Sequence, residues 1–471
     1  MKRIAIIGAG ITGLAAAHRI GELAASREMP VEVTILERGT RAGGPLKTIR
    51  RDGFTIELGA DSFLTEKPAA ADLARRLGLE KDLIPTQERF RRTYVVHDGK
   101  LVEIPEGFSL LAPTHLGPVM KSSLFSPAAK LRIAMEPFVP RRKEEGDESL
   151  ASFVTRRLGR EVLDRVAQAL AGGIYTADPN HLSVAATMPR FVEMERRYGS
   201  LIRGLQAGEK TRASSSAGTS GARWSLFLSM RNGMGSLADA LAARVSASLR
   251  FGAEVIEISH RNGGWTVAMA DGASIEADAV ICAAPAFAAA RFIRAADAEL
   301  ADVLGKIAYA SAAVVIMAFR ESDFPDPPRA FGFVVPISEN RKIIAGSFSS
   351  LKYEGRAPTG AILARAFAGG VLQKEMMTLA DEAIVSASRD EFRQLLGVTA
   401  PPSIVEVQRW PDSMPQYDVG HLDRVAAIEA AAARLPRLFL AGAAYRGVGI
   451  PDCIRSGEEA ARRALDSLAP E

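Results

Sequence analysis

The first apolar block, Ile4 to Ile7, runs straight into Gly8-Ala-Gly10-Ile-Thr-Gly13, and a helical pattern then extends from Leu14 to about Arg27. A second apolar block, Val31 to Leu36, closes on the acidic Glu37. This order predicts strand, glycine turn, helix and strand. From about Lys67 to Pro189 helical patterns dominate. Between Ile104 and Pro140 they are interrupted by apolar residues set between proline and glycine breakers. That stretch reads by default as a surface loop cluster with short helices, and otherwise as a lid or a membrane-touching surface. Thr211 to Gly221 reads as a flexible loop. Alternation then takes over. Leu249–Ile258, Trp265–Met269 and Ala279–Ala284 read as strands, and further strands near Ala312–Ala318, Gly332–Pro336 and Ile343–Phe348 point to an antiparallel sheet. Leu438 to Gly442 returns as a buried strand, followed by a loop and a helix from Ser456 to Leu468. The class expected is α/β, in part α+β, with a dinucleotide-binding core interrupted by insertions.

At 471 residues the chain exceeds one ordinary core, so two or three domains are expected. Its 47% hydrophobic and 24% charged residues are those of a globular protein. The longest uninterrupted apolar run, Ala312 to Phe319, is far too short to span a bilayer. Cys282 and Cys453 form no CxxC pair and suit a reducing, cytoplasmic compartment. The six histidines show no metal-ligand spacing, so no metal is expected. The net charge of +4 comes without a basic stripe interleaved with aromatics, which argues against a nucleic-acid partner. It is compatible with a polycarboxylate substrate.

The glycine spacing carries the first chemistry. Gly8 allows the tight turn from strand to helix, Gly10 lets the backbone approach a pyrophosphate, and Gly13 lets helix and sheet pack closely. The helix N-terminus offers free N–H groups to phosphate, and Glu37 can accept hydrogen bonds from a ribose diol. A secretory signal starting at Lys2 and Arg3 would leave this unit without a purpose, so the nucleotide clamp is preferred. A second glycine run, Asn232-Gly-Met-Gly-Ser-Leu-Ala238, fits G-x-G-x-x-A. The segment before it, with Ser229 and Arg231, reads as a poor buried strand, and a plain glycine-started helix is preferred to a nicotinamide site. One dinucleotide site without a nicotinamide partner points to FAD, with dioxygen or a quinone as final acceptor.

After Glu37 come Arg38-Gly-Thr-Arg41-Ala-Gly43-Gly44 and Phe54-Thr-Ile-Glu-Leu-Gly59-Ala60-Asp61-Ser62. The R-x-G-G run resembles the first flavin signature of the flavin amine oxidase superfamily. The closing stretch Ala441-Gly442 through Val448-Gly449-Ile450-Pro-Asp-Cys453 resembles its second, where a helix N-terminus faces the flavin. Across the whole chain, Ala171-Gly-Gly-Ile-Tyr-Thr-Ala-Asp, Leu182-Ser-Val-Ala-Ala-Thr-Met-Pro, Ala330-Phe-Gly-Phe-Val-Val-Pro and Met414-Pro-Gln-Tyr-Asp-Val-Gly-His narrow the resemblance. They are similar to stretches of the oxygen-dependent porphyrinogen oxidases of haem biosynthesis.

That resemblance implies a split FAD domain (1–66, 222–290 and 405–471), an antiparallel-sheet substrate domain (67–95, 190–221 and 291–404) and a helical domain (96–189). It implies six-electron oxidation of a porphyrinogen, with dioxygen reduced to hydrogen peroxide. No side chain is singled out as acid, base or nucleophile, since flavin alignment and the gain of aromaticity carry the reaction. For FAD it implies Gly8, Ala9, Gly10, Ile11, Thr12, Gly13, Glu37, Arg38 and Arg41 at the adenosine and pyrophosphate end. Gly43, Gly44, Gly59, Ala60, Asp61, Ser62, Trp410, Gly442, Val448, Gly449 and Ile450 fall nearer the flavin, and the Val255 backbone reaches the adenine. The macrocycle pocket would include Thr93, Gly173, Ile174, Phe331, Gly332, Val334 and Phe367, with Gly332 set there for close approach of a bulky ring.

Members acting on protoporphyrinogen commonly carry an arginine at the position of Thr93. The bacterial members acting on coproporphyrinogen III tend to carry a small hydroxyl residue, so coproporphyrinogen III is the substrate expected, with protoporphyrinogen IX, oxidised by the same chemistry, as the alternative. A peripheral contact with a membrane or a ferrochelatase, and a monomer or a homodimer, stay open. A flavin amine oxidase would want an aromatic cage that Tyr445 alone does not make. A non-catalytic binding protein on the same fold would have lost the flavin signatures, which are intact.

Overall fold

The computed structural model describes residues 1–215, 226–261 and 263–469. Five strands from four distant stretches of chain assemble into one parallel sheet. The order is Ser248–Phe251, Val31–Glu37, Lys2–Ile7, Ala279–Cys282 and Leu438–Leu440. Ile4 pairs with Val33 on one side and Ala279 on the other, and every adjacent pair runs parallel. Such a sheet must be covered on both faces. The first helix, Ile11–Ser26, and the last, Ile450–Leu468, cover one of them, packed against each other. The last helix starts at Ile450 rather than Ser456, because Pro451 occupies its first turn, where a missing N–H costs nothing.

The span expected as one strand, Leu249–Ile258, is two. The chain turns at Gly252, whose φ is +69°, and Ala253 donates to the Glu37 carbonyl at 2.9 Å. Val255–Arg261 then forms a separate antiparallel sheet with Gly264–Met269 and Ser274–Ala277.

A seven-stranded sheet carries the second layer. Its order is Ile404–Pro415, Tyr309–Arg320, Ala361–Gly369, Ala345–Phe348, Gly332–Val334, Thr93–His97 and Lys100–Glu103. It is mixed rather than purely antiparallel, since Gly332–Val334 runs parallel to Thr93–His97. Pairing moves two of the expected boundaries. Lys100–Glu103 belongs to this sheet and not to the helical unit, and Ile404–Pro415 pairs with Tyr309–Arg320 rather than joining the nucleotide domain. Phe191, Leu201 and Leu205 bury in a core that the helices share with Val95, Val334 and Ala345 of this sheet.

The helical unit is tied by a fully buried charge knot. Arg157 Nε donates to Glu136 Oε1 at 2.9 Å, and Glu136 also accepts from the Leu201 N–H at 2.9 Å. Ile104–Pro140 is part of this core, because Leu111, Leu124, Phe125, Ile133 and Glu136 are buried within it. The short helices expected within it are present, Leu116–Lys121 and Pro127–Ala134, but they pack into the core instead of lying in a surface loop cluster, although Leu131, Met135 and Phe138 remain exposed. The loop expected at Thr211–Gly221 is helical through Ser215, and residues 216–221 lie outside those described. Among the described residues no helix is long and apolar enough to cross a membrane.

Candidate active site

The first glycine turn brings three backbones together. A Cβ on Gly13 would lie 1.9 Å from the Gly8 carbonyl oxygen, so only glycine lets this helix sit so close to the strand end. Gly10 caps the helix with no side-chain bond, and no heavy atom lies within 4 Å of the place its Cβ would take. The mouth of the helix at Ile11 and Thr12 is thus open to an anion. Gly43 donates to the Ala9 carbonyl at 2.8 Å, and Gly44 packs against Gly10, which sets the second glycine loop beside the first. Glu37 braces both: Oε2 accepts from the Ala9 N–H and Oε1 from the Gly39 N–H, each at 2.8 Å. A carboxylate has about four acceptor sites, so two remain for a ribose diol.

Arg38 is exposed. Arg41 turns its guanidinium onto the carbonyls of Ala42 at 2.8 Å and Leu46 at 3.2 Å, and also onto Gly44. It clamps the glycine loop and brings its charge to the site that way. Val255 sits two residues beyond the Ala253–Glu37 bond, at the same end as Glu37.

The second signature meets the first through the two long helices. A Cβ on Gly457 would lie 2.2 Å from the Thr12 carbonyl oxygen. Gly442 donates to Ser456 Oγ at 3.0 Å and lies beside the Thr12 hydroxyl. Gly449 caps the last helix with no side chain, and Val448 and Ile450 flank it. Buried Asp452 in the first turn pairs with Lys67 Nζ at 2.6 Å.

The third wall comes from the large sheet. Trp410 Nε1 donates to the Leu58 carbonyl at 2.8 Å, and Arg365 donates to the next carbonyl, Gly59. Asp61 is caged by Lys352 Nζ at 3.0 Å, Arg365 at 3.3 Å and the Ser62 hydroxyl at 2.7 Å. Burial works to raise this carboxyl, but Lys352 and Arg365 overcome it and hold Asp61 well below the usual carboxylate range. Glu57, beside fully buried Arg356, is pushed the other way by burial, which outweighs Arg356 and the Thr48 hydroxyl. Lys352, Arg356 and Arg365 were not among the expected site residues. The signal available was a lone arginine inside the apolar strand Ala361–Gly369, a charge that needs a buried partner.

Four of the expected pocket residues, Thr93, Gly332, Val334 and Phe367, share one face of that sheet. Val95, Val334, Ala345, Phe367 and Val314 form one cross-strand row, and Thr93, Gly332, Ser347 and Arg365 form the next on the same face. The helix Gln168–Tyr175 lies over Val334: a Cβ on Gly173 would come within 3.6 Å of its side chain, and neighbouring Ile174 is 44% exposed. Phe331 is half-buried at the strand entry and bonds to the Arg92 carbonyl at 3.0 Å. Gly332 has a reason to be glycine other than the one expected. A Cβ there would lie 2.2 Å from the Gly346 carbonyl oxygen, so the adjacent strand requires glycine and no incoming ring is needed to explain it.

The second glycine run is filled from within. Met234 N–H donates to Glu57 at 2.8 Å and Gly235 N–H to the Thr48 hydroxyl at 2.9 Å. A strand does precede it, Phe227–Met230, but in a small antiparallel sheet. Ser229, expected to break that strand, is buried and donates to the Asp61 carbonyl at 2.6 Å. A hollow of about 670 Å³ bordered by Arg50, Arg51, Arg231 and Asn232 includes none of the expected site residues.

An open helix mouth, two abutting glycine loops and a free-handed acid fit a dinucleotide, and a second helix mouth nearby fits the far end of a flavin. The model of the flavin-containing amine oxidoreductase family matches residues 11–465. The chain belongs to that family. It is 33% identical to the coproporphyrinogen III oxidase of Bacillus subtilis (strain 168), over 99% of this chain and 98% of that one. It is 31% identical to the protoporphyrinogen oxidase of Bos taurus, over 98% of each. A crystal structure from Exiguobacterium sp. 255-15, provisionally named a protoporphyrinogen oxidase, superposes with a TM-score of 0.86 at 30% identity, covering 99% of both chains. The protein is accordingly a flavin oxidoreductase, and the expected class, α/β with a nucleotide-binding sheet, holds.

Proposed function

We propose that this flavin oxidoreductase oxidises coproporphyrinogen III to coproporphyrin III, with FAD as its flavin and dioxygen as acceptor, releasing hydrogen peroxide. The observation that carries the proposal is the meeting at Leu58–Ser62 of the nucleotide cradle and the sheet face bearing Trp410, Arg365, Phe367 and Val334. Bound flavin supplies a hydride acceptor for the methylene bridges of the macrocycle. The chain does the rest by position. Glu37 and the mouth of the first helix hold the adenosine and pyrophosphate, while Arg365 and Trp410 fix the backbone of Leu58 and Gly59. Val334, Phe367 and Ile174 offer apolar surface to a flat ring and keep water from it. No acid or base is called for, because each oxidation moves toward an aromatic product.

Thr93 favours the four-propionate substrate. It stands at the edge of the polar row that ends in Arg365, while Arg91 and Arg92 are exposed and Arg92 lies 3.7 Å from Glu103. No arginine therefore marks a two-propionate edge there. With both porphyrinogens assayed side by side, kcat/KM is expected to be higher for coproporphyrinogen III. Thr93→Arg is expected to move the ratio toward protoporphyrinogen IX by less than about tenfold, since one charge-assisted bond is gained in an otherwise unchanged pocket. A wild-type preference for protoporphyrinogen IX overturns the substrate assignment. The same proposal places the protein in the cytoplasm, with exposed Leu131, Met135 and Phe138 (77% exposed) as the surface for a membrane or ferrochelatase contact.

A further inference from the structure

The loop Ala441–Gly449, which carries the second flavin signature, has little regular structure of its own, and Gly442 and Gly447 hold φ values of +120° and +131°. A loop of that kind keeps its shape only where its backbone groups are held. One hydroxyl holds both of its limbs: Tyr417 Oη donates to the Ala443 carbonyl at 2.6 Å and accepts from the Gly447 N–H at 2.8 Å. The Tyr417 ring is buried and stacks on His421 with ring centres 3.9 Å apart. His421 Nε2 meets the carbonyl of Tyr445, between those two points, at 2.8 Å. A carbonyl can only accept, so Nε2 carries the proton, and burial favours the neutral ring.

The same segment is fastened to the helical unit on its other side. Ser183 N–H donates to the Tyr417 carbonyl and Val419 N–H to the His181 carbonyl, each at 2.8 Å. Gln416 Nε2 donates to the carbonyl of Tyr175 at 3.1 Å, next to Ile174 over the expected macrocycle pocket.

We infer that Tyr417, backed by His421, is a positioning residue for the flavin-facing loop, and that Gln416–His421 is a strap tying this loop to the helix over the substrate pocket. The inference rests on the reading of 441–449 as flavin-facing. Tyr417 acts through the backbone it holds.

Tyr417→Phe keeps the ring and its stack and removes only the hydroxyl, leaving a half-buried carbonyl and a half-buried N–H without their partner. In the holoprotein it is expected to raise the flavin Kd at least about tenfold. It is also expected to shift the visible absorption and midpoint potential of the bound flavin. For coproporphyrinogen III, kcat is expected to fall while KM stays within about twofold, because the pocket walls are untouched. A lower Tm of the flavin-free protein, with flavin Kd, spectrum and potential all as in wild type, overturns the inference and leaves Tyr417 a structural residue. If Tyr417→Phe does not fold, His421→Gln serves in its place. It keeps the hydroxyl, keeps an amide donor for Tyr445 and removes the stack, so a smaller rise in flavin Kd is expected, and an unchanged Kd and potential overturn the inference. A wild-type protein that binds flavin but oxidises no porphyrinogen defeats the substrate proposal and leaves the Kd and potential comparisons to decide this one.

Discussion

Arg365→Met is expected to lower folding stability by about 3–5 kcal/mol, the cost of leaving a buried charge without its partner. Arg365 is 3% exposed and serves two groups from the opposite layer, the Gly59 carbonyl and the Asp61 carboxylate. Lys352 still faces Asp61 in the variant, so the loss is expected toward the lower end of that range. Flavin affinity is expected to fall with stability, since Gly59–Ser62 loses its tie to the sheet while Trp410 keeps only Leu58. Arg365→Lys restores charge but not the forked reach to both groups, and should recover part of the loss. The acid dependence has a definite sign. Asp61 titrates well below its unfolded value near 3.9, so its contribution is full above that pH and is lost as pH falls toward the folded pKa. The gap between wild type and Arg365→Met, read from denaturant unfolding, should therefore narrow below about pH 4. A gap of under about 1 kcal/mol at pH 7 would mean that the pair contributes no more than a surface one.

Gly13→Ala is expected to cost about 1–3 kcal/mol in stability and about tenfold to hundredfold in flavin affinity. The new methyl would sit 1.9 Å from the Gly8 carbonyl oxygen, a contact that no side-chain rotation relieves because both sides are backbone. Either the helix slides from the strand or the Gly8–Gly10 turn moves. Both displace the helix mouth on which phosphate binding depends. Fluorescence titration of the flavin-free protein with FAD measures the second effect. Gly10→Ala is the useful contrast, since nothing of the protein lies within 4 Å of its added methyl. Its loss is expected in flavin affinity, with stability near wild type.

These two glycines were legible because strand–turn–helix packing demands them at fixed spacing, whatever the rest of the chain does. Glu37 was legible for the same reason. The caged charges were not. Lys352 and Arg365 meet Asp61 and Gly59 across 291 and 306 residues of sequence, and no local pattern announces such a partner. Gly332 was placed in the pocket for a ligand's sake, yet the neighbouring strand explains it, a contact invisible until register is known. The break at Gly252 and the pairing of Ile404–Pro415 with Tyr309–Arg320 were missed alike, because alternation marks a strand without saying which sheet it joins. The short helices of Ile104–Pro140 were legible between its breakers, but not that they pack as core, where buried Glu136 has its partner at Arg157.

The most direct test follows porphyrin fluorescence, dioxygen uptake and peroxide release together when the purified yellow protein meets coproporphyrinogen III in air. The account predicts coproporphyrin III formed far above the uncatalysed rate, with one hydrogen peroxide for every two electrons removed from the substrate. Flavin-loaded protein that leaves coproporphyrinogen III and protoporphyrinogen IX at their uncatalysed rates would contradict it.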